Sequence, residues 1–207
     1  MSIAPAVTRF RLGPWSAGSP MTPEEFDAAE FEEGWRYQLI HEVLIVSPSP
    51  LPQERDPNEE LGSMLRVYGH DHPQGSSLDV TLAEETVSTT PNRRRADRVI
   101  WAGLGRLPTP DDPPTIIIEF VSEGRANRRR DYETKRDEYR ALGVREYWIF
   151  DRFDRTLTVV VFGPHGDQVR VLKEDETYAP PLLPRFELPL PRLFALADRW
   201  PERLADS

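Results

Sequence analysis

The 207 residues carry 38% hydrophobic and 29% charged side chains, which excludes a disordered chain and provides for one sizeable core. With no cysteine, disulfides, thiolate nucleophiles and Cys-based zinc or iron–sulfur sites are ruled out. The formal charge of −9 repels phosphate at long range, but arginine is concentrated in Arg93-Arg94-Arg95 with Arg98 and again from Arg125 through Arg136.

No apolar run approaches the roughly 18–20 residues that span a bilayer, and the N-terminus lacks a basic segment followed by an apolar one. A cytoplasmic protein with no membrane partner is expected. Residues 1–20, with Pro5, Pro14 and Pro20, read as a loosely held N-terminal arm, 21–198 as a single domain and 199–207 as a tail. Thr22-Pro23-Glu24-Glu25 places an N-cap threonine before a proline at the first helical position and a glutamate at the third, predicting a helix to about Glu30. Tyr37 to Val46 predicts a strand or tight hairpin, closed by Pro48, Pro50 and Pro52. Leu61, Met64, Leu65 and Tyr68 have helical spacing within 59–68. Strands follow over 77–82 and 96–101, then a proline-laden loop over 107–114. Residues 115–121 form the most apolar strand, read as central and buried on both faces. A basic helix over 129–142 stops at Gly143. Strands over 146–150, 157–162 and 169–173 and a short helix over 191–197 complete the series.

Glu119 lies between Ile116-Ile117-Ile118 and Phe120-Val121, where an ionised carboxylate costs several kcal/mol unless a partner or a metal compensates it. Either an arginine or a metal site would serve. Asp97, in the preceding strand, can converge with it on an oxygen-loving cation such as Mg²⁺, or can bridge to Arg94, Arg95 or Arg98. Lys135 stands in the helix after the glutamate strand and is one of only two lysines, with Lys173, among 26 basic residues. It can serve that site, where an ammonium would orient a water or stabilise charge on a phosphate, or it can form a helix-surface pair with Asp131 one turn earlier. The four histidines lack zinc-ligand spacing, and there is no phosphate-binding glycine loop or serine nucleophile elbow.

Tyr37-Gln38-Leu39-Ile40, Val46-Ser47-Pro48, Arg95-Ala96-Asp97, Ile118-Glu119-Phe120-Val121-Ser122, Asp131-x-x-x-Lys135-x-x-x-Tyr139 and the run from Gly143 to Asp151 together resemble the Uma-two restriction endonuclease family. The resemblance covers about residues 21–195. It implies membership of the PD-(D/E)XK nuclease superfamily, an α/β fold with a mixed central sheet flanked by helices, and Mg²⁺-dependent phosphodiester hydrolysis in DNA, with Mn²⁺ as an alternative ion. It also implies Asp97, Glu119 and Lys135 as the catalytic set, the amine coming from the following helix because Val121 occupies the usual lysine position. Three departures stand out. Gln38 occupies a place where the family carries an acid, His41-Glu42 stands where the family has an Asp-Gly turn, and Ala96 replaces the superfamily's proline. On this reading Asp97, Glu119, the Phe120 carbonyl and Gln38 surround the metal, while Arg125, Arg128, Arg129 and Arg130 hold the nucleic-acid backbone. A homodimer is the ordinary arrangement for cutting two strands. The alternatives are a catalytically decayed nuclease fold serving as a DNA-binding or protein-interaction module, and a metal hydrolase of small phosphoesters.

Overall fold

The computed structural model describes residues 11–201. The chain packs as two compact units, one running through Ser49 and including Thr86–Arg95, the other comprising Pro50–Glu85 and the chain from Ala96 onward. Composition predicts a single domain. The division arises where two strands longer than the usual five or six residues each contribute one part to either unit.

In the first unit, β1 (Arg11–Leu12) pairs in parallel with β2 (Glu30–Phe31). Residues 11–20, read from sequence as part of a loose arm, thus contain a strand and a 3₁₀ turn at Pro14–Ser16; residues 1–10 lie outside the described residues. Helix α1 (Pro23–Ala28) carries the expected reciprocal cap: the Glu25 N–H donates to Thr22 Oγ1 at 3.2 Å and the Thr22 N–H to Glu25 Oε2 at 2.8 Å. It stops at Ala28, two residues short of prediction. β3 (Trp35–Ile40) and β4 (Val43–Pro48) form the hairpin, its turn made by His41 and Glu42 with φ of 50° and 61°. This unusual left-handed pair suits the twist of a two-residue turn. Leu12, Phe26, Tyr37, Leu39 and Leu44 form the core of this unit.

The second unit begins with α2 (Pro52–Asp71), which starts seven residues before the predicted Glu59. The difference lies in the prolines: Pro52 occupies the first turn, where a missing N–H does no harm, and Pro57 is accommodated inside the helix. β5 (Leu78–Thr89) and β6 (Asn92–Ala102) outrun their predicted spans because polar residues continue both strands. Every residue of β7 (Ile116–Phe120) is buried, as the apolar run requires. It pairs antiparallel with β6 and in parallel with β8 (Glu146–Asp151), and β9 (Thr156–Val161) and β10 (Gln168–Lys173) extend the sheet antiparallel. The sheet is mixed.

Between β7 and β8 runs a helix in three parts: α3 (Arg125–Arg129), a π-helical turn at Arg130–Thr134, and α4 (Lys135–Leu142). Gly143 ends it in the left-handed region at φ 94°, with the Val144 N–H closing on the Tyr139 carbonyl. The two-residue strands β11 (Thr177–Tyr178) and β12 (Leu188–Pro189), too short to show alternation, pair ahead of α5 (Leu190–Asp198). Alternation sorts the sheet residues. Ile116, Ile118, Phe120, Trp148 and Phe150 join the core with Leu61 and Leu65 of α2 and Leu193 and Phe194 of α5, leaving Ile117 and Glu119 on the opposite face. Among the described residues, no helix is long and apolar enough to cross a membrane.

Because an L side chain in the left-handed region costs about 1–2 kcal/mol, Gly143→Ala is expected to lower the unfolding free energy by about that amount in urea titration. Unchanged stability would show that the chain can leave α4 by another route.

Candidate active site

Glu119 follows from the pleat of β7: two residues from Ile117, it points away from the main core and towards the helix. It is 1% exposed. Lys135 Nζ lies 2.8 Å from Glu119 Oε2 and 2.9 Å from Asp131 Oδ1, and the Tyr139 hydroxyl donates to Glu119 Oε1 at 2.7 Å. Asp131, Lys135 and Tyr139 succeed one another four residues apart, so one helix face supplies all three groups. The π turn holds Asp131 at the start of this face, a distortion often found at functional sites. Tyr147 of β8 donates to the Asp131 carbonyl at 2.9 Å and packs edge-on against Tyr139.

Asp97 lies on β6 one position beyond the Arg98–Ile118 register pair, which puts it alongside the end of β7. Its Oδ2 accepts the Phe120 N–H at 2.7 Å. Arg98 turns to the opposite face, where Nε donates to Asn58 Oδ1 at 2.7 Å and Nη1 to Thr81 Oγ1 at 3.1 Å. Asn58 Nδ2 donates in turn to the Asp97 carbonyl at 2.9 Å, tying α2 to the strand at this point. Burial, only partly offset by Lys135, pushes the Glu119 carboxyl up to about 7, with Asp97 and Asp131 adding to the rise. Burial acts to push Lys135 down, but Glu119 and Asp131 outweigh it and hold the ammonium above its ordinary value. Lys135 is therefore a cation here.

The structure brings together Asp97, Glu119, Phe120 and Lys135 within the second unit. Gln38 belongs to the first unit, buried on β3, with its Oε1 accepting the Arg95 N–H at 3.3 Å. Of the four arginines, Arg125 is exposed at the helix start. Arg128 pairs with Asp151 and Asp154, Arg129 with Glu133 at 3.0 Å and Arg130 with Asp131 at 3.4 Å. The Asp131–Lys135 pair, one of the alternatives for a surface helix, is formed but buried, with the two side chains 2% and 4% exposed. Sequence reasoning assigned no site role to Asp131 or Tyr139; their four-residue spacing from Lys135 was the available signal.

The donors gathered here are oxygens, the type a small hard cation takes. Asp97, Glu119 and Asp131 bring three carboxylates into a nearly dry region against the single buried ammonium of Lys135, and hard oxygen donors are what Mg²⁺ takes. Among the described residues no group of three or more His, Cys, Asp or Glu side chains is arranged for a metal, so an ion here would rely on two carboxylates, a backbone carbonyl and water, a sparse protein shell that Mg²⁺ accepts.

Removing Lys135 leaves buried acids without their counter-charge, whereas removing the Tyr139 hydroxyl costs one charge-assisted hydrogen bond. Lys135→Met is expected to destabilise by about 3–5 kcal/mol and Tyr139→Phe by about 1.5–3 kcal/mol in denaturant unfolding. Wild-type stability in Lys135→Met would mean that the ion pair does not hold the helix to β7.

The model of the Uma2 family, described as "Putative restriction endonuclease", matches residues 23–191. The fold is similar to that in the crystal structure of a nuclease, described as putative and as belonging to DUF820, from Anabaena variabilis ATCC 29413. That likeness has a TM-score of 0.64 and 16% sequence identity, and covers 86% of this chain and 99% of that one. No curated protein matches. With the family match spanning most of its length, the chain belongs to the Uma2 restriction endonuclease family and has a nuclease-like fold.

Proposed function

We propose that the chain is a Mg²⁺-dependent endonuclease that hydrolyses phosphodiester bonds in DNA, with Mn²⁺ as an alternative ion. The observation that carries this reading is the buried ammonium of Lys135 held on Glu119 beside Asp97. Asp97, Glu119 and the Phe120 carbonyl would hold the ion, which when bound supplies Lewis-acid polarisation of a phosphoryl oxygen. The Phe120 N–H fixes the Asp97 carboxylate, and Tyr139 does the same for Glu119. Lys135, kept protonated by its two acids, is a donor and not a base: its part is to stabilise negative charge developing on the phosphate. Arg125 is open to a nucleic-acid backbone, and the exposed Arg129–Glu133 pair, of a kind worth at most about 1 kcal/mol, can give way to one. Arg128 and Arg130 would join them by exchanging carboxylate for phosphate. A homodimer would provide two such centres for two strands.

One observation favours a second reading: both Glu119 oxygens already have partners, Lys135 and Tyr139. A self-satisfied cluster of this kind would suit a decayed nuclease retained as a DNA-binding or protein-interaction module.

Cleavage of supercoiled plasmid and of single-stranded DNA separates the two. Mg²⁺-dependent cutting that stops with chelator is expected, lowered about 10²–10³-fold in Asp97→Asn and Glu119→Gln. Lys135→Arg is expected to lose most activity despite keeping the charge, because a planar guanidinium does not fit a compact ammonium's place. A folded wild type that cuts neither DNA with Mg²⁺ or Mn²⁺ would favour the module, and turnover of a chromogenic phosphodiester alone would redirect the reading to small phosphoesters.

A further inference from the structure

The ladder between β6 and β7 ends one step short of Asp97. Its last register pair is Arg98–Ile118, and beyond that pair side chains take over from main-chain pairing. The Phe120 N–H donates to Asp97 Oδ2 at 2.7 Å, and the Asp97 carbonyl accepts from Asn58 Nδ2, on α2, at 2.9 Å. A residue inside a ladder is placed by its own backbone. Where the two strands part, the Asp97 peptide is held by an amide side chain, so its placement depends on what fixes Asn58.

Arg98 fixes it. Nε donates to Asn58 Oδ1 at 2.7 Å and Nη2 to the Asn58 carbonyl at 2.9 Å, so one guanidinium holds both oxygens of that residue, while Nη1 donates to Thr81 Oγ1 at 3.1 Å. Among the described residues these hydrogen bonds all go to neutral oxygens, and the side chain is 1% exposed. Burial pushes the guanidinium down to about 10, with Glu59 offsetting it only in part, so Arg98 is still a cation at neutral pH. Gly62 leaves room for it: a Cβ at that position of α2 would stand 2.4 Å from Arg98 Nη2. A buried cation without a carboxylate partner and a glycine inside a helix are both costly. Both costs are met at the point where α2 holds Asn58 against Asp97.

We propose that Asn58, locked by Arg98, is a positioning residue for Asp97: it fixes the Asp97 peptide so that the carboxylate stays on the Phe120 N–H, in the orientation from which it would hold Mg²⁺. Partners of this kind set the direction of a metal ligand without touching the metal. The anchoring of the carboxylate stands apart from the nuclease reading, whereas its consequence for Mg²⁺ rests on that reading.

Asn58→Asp separates positioning from general support, because it keeps an oxygen for Arg98 and removes the N–H that the Asp97 carbonyl accepts. In the ion-free full chain, hydrogen exchange of the Phe120 amide is expected to quicken about tenfold or more, towards its rate in Asp97→Ala, while the Ile117 and Ile118 amides keep their wild-type rates. Calorimetric titration with Mg²⁺ should then show affinity lowered about 10- to 100-fold, although the added negative charge alone would raise it. Arg98→Lys keeps the charge but loses the fork that holds both Asn58 oxygens, and should fall between wild type and Asn58→Asp in both measurements. It carries the same test if Asn58→Asp does not fold by circular dichroism. Wild-type Phe120 exchange in a folded variant, equal quickening at Ile117 and Ile118, or Mg²⁺ binding at wild-type strength despite faster Phe120 exchange would overturn the assignment. If the wild type itself binds no Mg²⁺, the nuclease reading fails and the exchange rates alone decide the positioning.

Discussion

An ionised carboxylate in the middle of a fully buried strand is the constraint around which the second unit is arranged. Glu119 cannot be solvated at 1% exposure, and the alternative to neutralisation is a cation brought to it. The cation is Lys135, and the helix after β7 is shaped to deliver it. Its buried face presents Asp131, Lys135 and Tyr139 in succession. A π turn precedes α4, and a left-handed Gly143 releases the chain in time for β8 to run parallel to β7.

Pairing does not neutralise the region, however. Asp97, Glu119 and Asp131 still outnumber Lys135 and Arg130, which pairs with Asp131 at 3.4 Å, and the Glu119 carboxyl is driven up to about 7 by burial first and by the neighbouring acids after it. A buried ion pair of this kind contributes little net stability relative to an apolar replacement of similar volume, although losing one partner is severe. What distinguishes this cluster is its excess of acid beside the strand ends, the feature from which the proposed cation site is argued.

Much of this arrangement can be read from the chain itself. A lone acid in Ile-Ile-Ile-Glu-Phe-Val has few physical explanations, and Thr22 and Gly143 announce helix ends by local rules that tertiary contacts did not override. The scarcity of lysine drew attention to Lys135. Other features were hidden for identifiable reasons. Four-residue spacing describes a solvated Asp–Lys pair as well as a buried one, and only the packing of α4 beneath Tyr147 decides between them. The early turns of α2 are masked by prolines that sequence rules treat as breakers. The carboxylate partners of Arg128, Asp151 and Asp154, are invisible in the sequence because they arrive from β8 and the turn after it, more than twenty residues away.

The central claim is that the acids beside Lys135 form a cation site and not merely a structural ion pair. Calorimetric titration of the purified chain with Mg²⁺ tests it most directly. Saturable binding in the wild type, absent from Asp97→Asn protein that retains its fold by circular dichroism, is the predicted result. No heat beyond dilution with either Mg²⁺ or Mn²⁺, or binding that survives the loss of Asp97, would contradict it.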